Sequence, residues 1–144
     1  MTAYLLFLNY QQASLFTQAK REFLRGSAES LALAKVQLLQ VIRNDDDNEA
    51  AYIMLAEIAG KQKNYPEQVY YCFMAHRLNP LSRENAEKYV KSLLLARHFH
   101  RLETFLFQQQ ELSDEWQQLC GYWSFLQQSQ KYWLWRFCCL RQKK

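Results

Sequence analysis

Glycine and proline are scarce in this sequence, three of one and two of the other in 144 residues. A β-sandwich or barrel needs turn residues every 8–12 positions or so, and that scarcity excludes both. It also leaves no material for a long flexible linker. The tight backbone cradles that hold phosphate go with it: there is no glycine-rich loop, no G-x-S-x-G and no H-E-x-x-H. No stretch reaches the ~20 apolar residues that span a bilayer. Met1 to Leu8 lacks a basic n-region and its apolar run stops at Asn9, so it does not read as a secretory signal. Cysteines occur at 72, 120, 138 and 139 without the spacing of a disulfide framework, which fits reduced thiols and a cytoplasmic setting. The formal charge of +4 is a mild bias, short of that of a dedicated nucleic-acid binder.

What is present is helical patterning. Leu31, Ala34, Leu38 and Val41 recur at helical spacing. So do Tyr52, Leu55, Ala56 and Ala59, then Ala86, Tyr89, Val90 and Leu93, then Trp116, Leu119, Cys120 and Trp123. Gly26 suits a first helix end and Ser27 the next N-cap, with Asp47 or Asn48 and Ser113 capping later helices. Pro66 fits the first turn of a helix, where its missing N–H costs little. These signals predict about eight helices in four antiparallel hairpins. The last three quartets share one internal spacing, which Phe16, Ala19, Lys20 and Phe23 follow more weakly. The four start at 16, 52, 86 and 116, in steps of 36, 34 and 30. A hairpin with an apolar face that it cannot bury alone stacks on its neighbour, and a regular period is the signature of such stacking.

Residues 49–82 resemble one tetratricopeptide repeat. Tyr52 takes the leading aromatic place, Leu55 the Leu, Ala56 the small residue, and Asn64-Tyr65-Pro66-Glu67 the turn and second-helix start. Ala75 takes the late small place and Leu78-Asn79-Pro80 the close, while Ala34, Leu38 and Val41 resemble the second helix of the repeat before. Departures are Gln68 where the family prefers Ala, Cys72 for an aromatic, Ala59 for Tyr, and Val90 and Cys120 for the small residue in the flanking repeats. The resemblance implies an all-α, right-handed α-solenoid of about four antiparallel hairpins, one domain over 1–144. It also implies a groove lined by first helices, with Ile53, Glu57, Lys61, Glu87, Lys88, Lys91, Gln117 and Phe125 facing it. Ile53 and Glu57 stand where a carboxylate-clamping subgroup carries polar residues, which argues against a chaperone-tail clamp.

Other constellations have plain readings. Cys72 and His76 lie one helical turn apart, but a metal needs three or four ligands, and the expectation is a core cysteine beside a solvent-facing histidine. In His98-Phe99-His100 the phenylalanine is expected to turn inward at a helix junction and the histidines outward. Asp45-Asp46-Asp47 lacks the glycine and later carboxylate of a calcium loop and reads as a solvated connection before a helix start. No cofactor, metal or catalytic group is predicted.

The end of the chain is more pointed. Residues 131–140 are apolar around the whole helical circumference, whereas a terminal repeat keeps a polar outer face. Tyr132, Trp133, Trp135, Arg136 and Phe137 are therefore expected to form a contact surface. Another protein, a second copy in a homodimer, or the chain itself could cover it. Its basic aromatic character also suits a membrane surface or single-stranded nucleic acid. The sequence thus predicts a non-enzymatic protein–protein interaction module: an adaptor, assembly factor or chaperone-like subunit holding a peptide or helix of a partner. A peripheral membrane or nucleic-acid-associated factor is the alternative.

Overall fold

The structure, a computed structural model, describes residues 2–108, with nothing to report for the side chains of Thr2, Glu103, Leu106 and Phe107. The described residues form six helices and no strands. They are α1 Thr2–Arg25, α2 Ala28–Asn44, α3 Glu49–Lys61, α4 Tyr65–Leu78, α5 Arg83–Leu95 and α6 Phe99–Gln108. Helices α1–α5 belong to one compact unit, Met1–His98, and α6 to a second that begins at Phe99. The chain is all-α, as its composition predicts. Ser113 and the Trp116–Trp123 quartet lie outside the described residues.

Four helix starts are set by short polar side chains. Ser27 accepts from the Ser30 N–H at 3.1 Å, Asn48 from Ala51 at 3.1 Å, Asn64 from Glu67 at 3.5 Å, and Ser82 from Asn85 at 3.3 Å. Each satisfies one N–H that the helix cannot pair internally. Glu29, Glu49, Glu67 and Glu84 sit in the same first turns, where a carboxylate is favoured by the helix dipole. Of the two expected caps for α3, Asn48 serves and Asp47 does not. Pro66 lies in the first turn of α4.

The ends of α3 and α5 are copies of one another. After α3, Gln62 stays right-handed, Lys63 turns left-handed at φ 56°, and the Asn64 N–H reaches back to the Ala59 carbonyl at 2.9 Å. After α5, Ala96, Arg97 (φ 58°) and His98 repeat this, the His98 N–H reaching the Leu93 carbonyl at 2.9 Å. Every partner is displaced by 34 residues. The ends of α2 and α4 keep the same offset, Asp45 N–H to Val41 O and Asn79 N–H to Ala75 O, and so do the starts at Glu49 and Arg83. Between α1 and α2 the left-handed residue is Gly26 at φ 73°. A side chain in this conformation carries strain that glycine avoids. Lys63→Gly and Arg97→Gly are therefore expected to raise stability by about 0.5–1 kcal/mol each, read as a higher urea midpoint.

Within Met1–His98, each helix packs on the next, α1 on α2, α2 on α3, α3 on α4 and α4 on α5. The core is the one expected from periodicity. Leu31, Ala34, Leu38 and Val41 are buried on α2, and Tyr52, Leu55, Ala56 and Ala59 on α3. On α5 Tyr89, Val90 and Leu93 are buried, with Ala86 half-buried. In the weaker quartet Ala19 is buried, Phe16 and Phe23 half-buried and Lys20 exposed. Where the repeat family prefers Ala, the Gln68 amide lies over the bare backbone of Gly60; a Cβ there would come within 2.8 Å of its Nε2. A small residue on α3 thus makes the room that α4 does not.

Candidate protein-binding face

Ile53, Glu57 and Lys61 recur every fourth residue along α3, and side chains at that spacing share a helix face. Ile53 is half-buried, while Glu57 and Lys61 are exposed. Lys61 Nζ stands 4.0 Å from the centre of the Phe23 ring, which ties the end of α3 to the end of α1. From α5, Lys88 Nζ lies 3.6 Å from the Glu57 carboxylate and 2.8 Å from that of Glu84. Two of the residues expected to face one groove are thus brought into contact from helices that are not consecutive in the chain. A corresponding link on the other helices joins Lys35 of α2 to Glu67 of α4. Glu87 pairs instead with Arg83 of its own helix at 2.9 Å, and Lys91 is half-buried on α5.

The electrostatics follow from these pairs. Partial burial pulls the Lys88 pKa down, but the hydrogen bond and charge of Glu84, with the charge of Glu57, outweigh it and hold the ammonium above its usual value. Hydrogen bonding to Lys88, then its charge, lowers the Glu84 carboxyl. Pairs this open to solvent contribute little to stability, so they shape the face more than they stabilise the fold. A cation already shared by two carboxylates is poorly placed to clamp a third. What the face offers is the half-buried Ile53 among paired charges, suited to an apolar anchor with polar flanks.

A part-buried polar bridge also joins α4 and α5. Asn85, 2 % exposed, donates from Nδ2 to Glu49 Oε1 at 2.7 Å and to the Ala75 carbonyl at 3.2 Å. Asn79 Nδ2 donates to the other oxygen of Glu49 at 3.3 Å. The Glu49 carboxylate at the start of α3 thus ties the end of α4 to the start of α5. Its partners stand 30 and 36 residues away, beyond the reach of any local pattern. The Glu84–Lys88 pair, at i and i+4, was legible as helix spacing; Glu49 with Asn85, and Glu57 with Lys88, were not.

Cys72 is buried as expected, and its thiol is pushed up to about 11 by burial, leaving it protonated and a poor nucleophile. His76 departs from the expected solvent-facing position. It is half-buried with its ring stacked on Tyr89 at 6.3 Å, and burial lowers its pKa. The cause is α5, whose Tyr89 also meets Phe73 at 5.7 Å and covers that side of α4. His98 and Phe99 are half-buried and His100 is exposed. Asp46 and Asp47 are exposed and Asp45 is half-buried, ahead of α3 as expected. Among the described residues no three His, Cys, Asp or Glu side chains gather as a metal site. No helix among them is long and apolar enough to cross a membrane.

Gln117 and Phe125 of the expected groove lie outside the described residues. So does the expected contact surface of Tyr132, Trp133, Trp135, Arg136 and Phe137. One apolar surface that the sequence reading passed over is on α1, where Tyr4, Leu6, Tyr10 and Leu24 are each more than 60 % exposed. Searches of protein-family models, curated proteins and solved structures match nothing to this chain.

Proposed function

We propose that the chain is a non-catalytic protein-interaction module built of stacked tetratricopeptide-like hairpins, which holds a peptide or helix of another protein against the α3–α5 face. The observation that carries this reading is the 34-residue recurrence of helix ends, starts and left-handed turn residues between α2–α3 and α4–α5. Stacked hairpins of one period place alternate helices side by side, as the Glu57–Lys88 and Lys35–Glu67 contacts do here. Such a stack forms a continuous surface from its first helices, with Ile53 as the apolar anchor in this chain. In the cell this role is that of an adaptor, assembly factor or chaperone-like subunit.

The test is a pull-down from native, nuclease-treated extract at low and high salt, comparing the wild type with Ile53→Asp. The expected result is one stoichiometric protein that survives high salt and is lost with Ile53→Asp, because an apolar contact responds little to ionic strength. Unchanged capture by Ile53→Asp would remove the α3–α5 face as the site. Binding that vanishes with salt and leaves only lipid or nucleic acid would replace this reading with the membrane or nucleic-acid alternative.

A further inference from the structure

Helix α1 is 24 residues long and its antiparallel neighbour α2 only 17. The short Gly26-Ser27 link aligns their joined ends, so the start of α1 outruns α2 by about 10 Å at 1.5 Å per residue. Residues 3–10 are all exposed. The part of α1 alongside α2 buries Ala19. The opposite side of the helix carries Leu6, Tyr10, Ala13, Thr17, Lys20 and Leu24, in steps of four, three, four, three and four. This is the alternating spacing of a coiled-coil seam, and all six residues are exposed, Leu6, Tyr10 and Leu24 at 69, 74 and 73 %. The Thr17 hydroxyl in the stripe is already satisfied, since its Oγ1 donates to the Ala13 carbonyl at 2.7 Å, which leaves its methyl group to pack.

We propose that this face of α1 binds the same face of a second copy of the chain in antiparallel orientation. The charges choose the partner and its direction. Thr2 to Ala19 contains no charged side chain, and the stripe's single charge is Lys20, with Arg21 beside it. A parallel pair would set Lys20 against Lys20 within the seam. The antiparallel pair, centred between Ala13 and Thr17, sets Leu6 against Leu24 of the second copy and Tyr10 against Lys20. The small Ala13 and Thr17 then meet at the middle, where the backbones come closest. On the flank, Arg21 faces the Phe7 ring of the second copy. Each cation thus meets an aromatic ring, a favourable contact, and no like charges oppose one another. The seam is about 27 Å long, short for a free coiled coil, but α1 is already folded against α2 and bears no nucleation cost on pairing.

The experiment is sedimentation equilibrium of the full chain up to about 100 µM, with Tyr10→Lys and Tyr10→Glu, helicity being checked by circular dichroism. Both substitutions remove the same ring from an exposed position, so neither threatens the fold. They differ in what they present to Lys20 of the second copy. The expected result is a wild-type dimer, a self-association at least about tenfold weaker in Tyr10→Lys, and one close to wild type in Tyr10→Glu, which forms an ion pair with Lys20. Three outcomes overturn the proposal: a monomer across the whole range, a dimer indifferent to both substitutions, or equal weakening by Glu and Lys. The second outcome would place self-association on another surface, such as the segment around Trp133 and Trp135.

Discussion

Asn85→Asp is expected to cost about 3–5 kcal/mol of unfolding free energy at pH 7, through a change of one amide to a carboxylate. The side chain is 2 % exposed and its nitrogen now donates to Glu49 Oε1 at 2.7 Å and to the Ala75 carbonyl. Aspartate at that place would turn an acceptor on two acceptors and oppose its own buried carboxylate to that of the half-buried Glu49. Equilibrium urea unfolding reads the loss. Glu49→Gln in the same chain should restore most of it, because the glutamine amide supplies the missing donor. A loss below about 1 kcal/mol would mean that the bridge contributes only what an exposed contact does.

Leu55→Ala is expected to cost about 2–5 kcal/mol, with the urea dependence unchanged. Leu55 is fully buried on α3, the helix that packs on both α2 and α4, so the space it vacates adjoins two contacts and collapses poorly. Leu33→Ala is the comparison. Leu33 on α2 is 48 % exposed, and its truncation should cost under about 1 kcal/mol. Equal losses at the two positions would contradict the placement of the core between α2, α3 and α4.

Local features were legible in the sequence, and non-local ones were not. Ser27, Asn48 and Pro66 act within one helical turn, and the buried Leu31–Val41 and Tyr52–Ala59 quartets follow from a single period, so pattern alone finds them. The α3–α5 face was legible by half: Ile53, Glu57 and Lys61 recur along one helix, but nothing in the sequence sets Glu57 beside Lys88. His76 was misplaced for a related reason. Its own helix says only that it lies one turn from Cys72, whereas its burial comes from Tyr89 on α5. The Leu6–Leu24 stripe was passed over altogether. A short apolar stripe says nothing by itself about cover, and only the lengths of α1 and α2 and the exposure of Leu6, Tyr10 and Leu24 show that no helix among the described residues covers it.

The matched joints after α3 and α5 bear on how such a chain can change its length. Each joint is set by its own left-handed residue and a hydrogen bond spanning five residues, Ala59 to Asn64 or Leu93 to His98, without help from distant parts of the chain. Duplicating or deleting the 34 residues between equivalent points would therefore leave each joint intact and every helix in phase. What must be adjusted is the polar bridge of the kind made by Glu49, Asn79 and Asn85, together with pairs such as Glu57–Lys88 and Lys35–Glu67, because these span the seam between one unit and the next. The molecule can thus be edited in whole modules, provided that the polar contacts and the packed helix faces at each seam stay compatible.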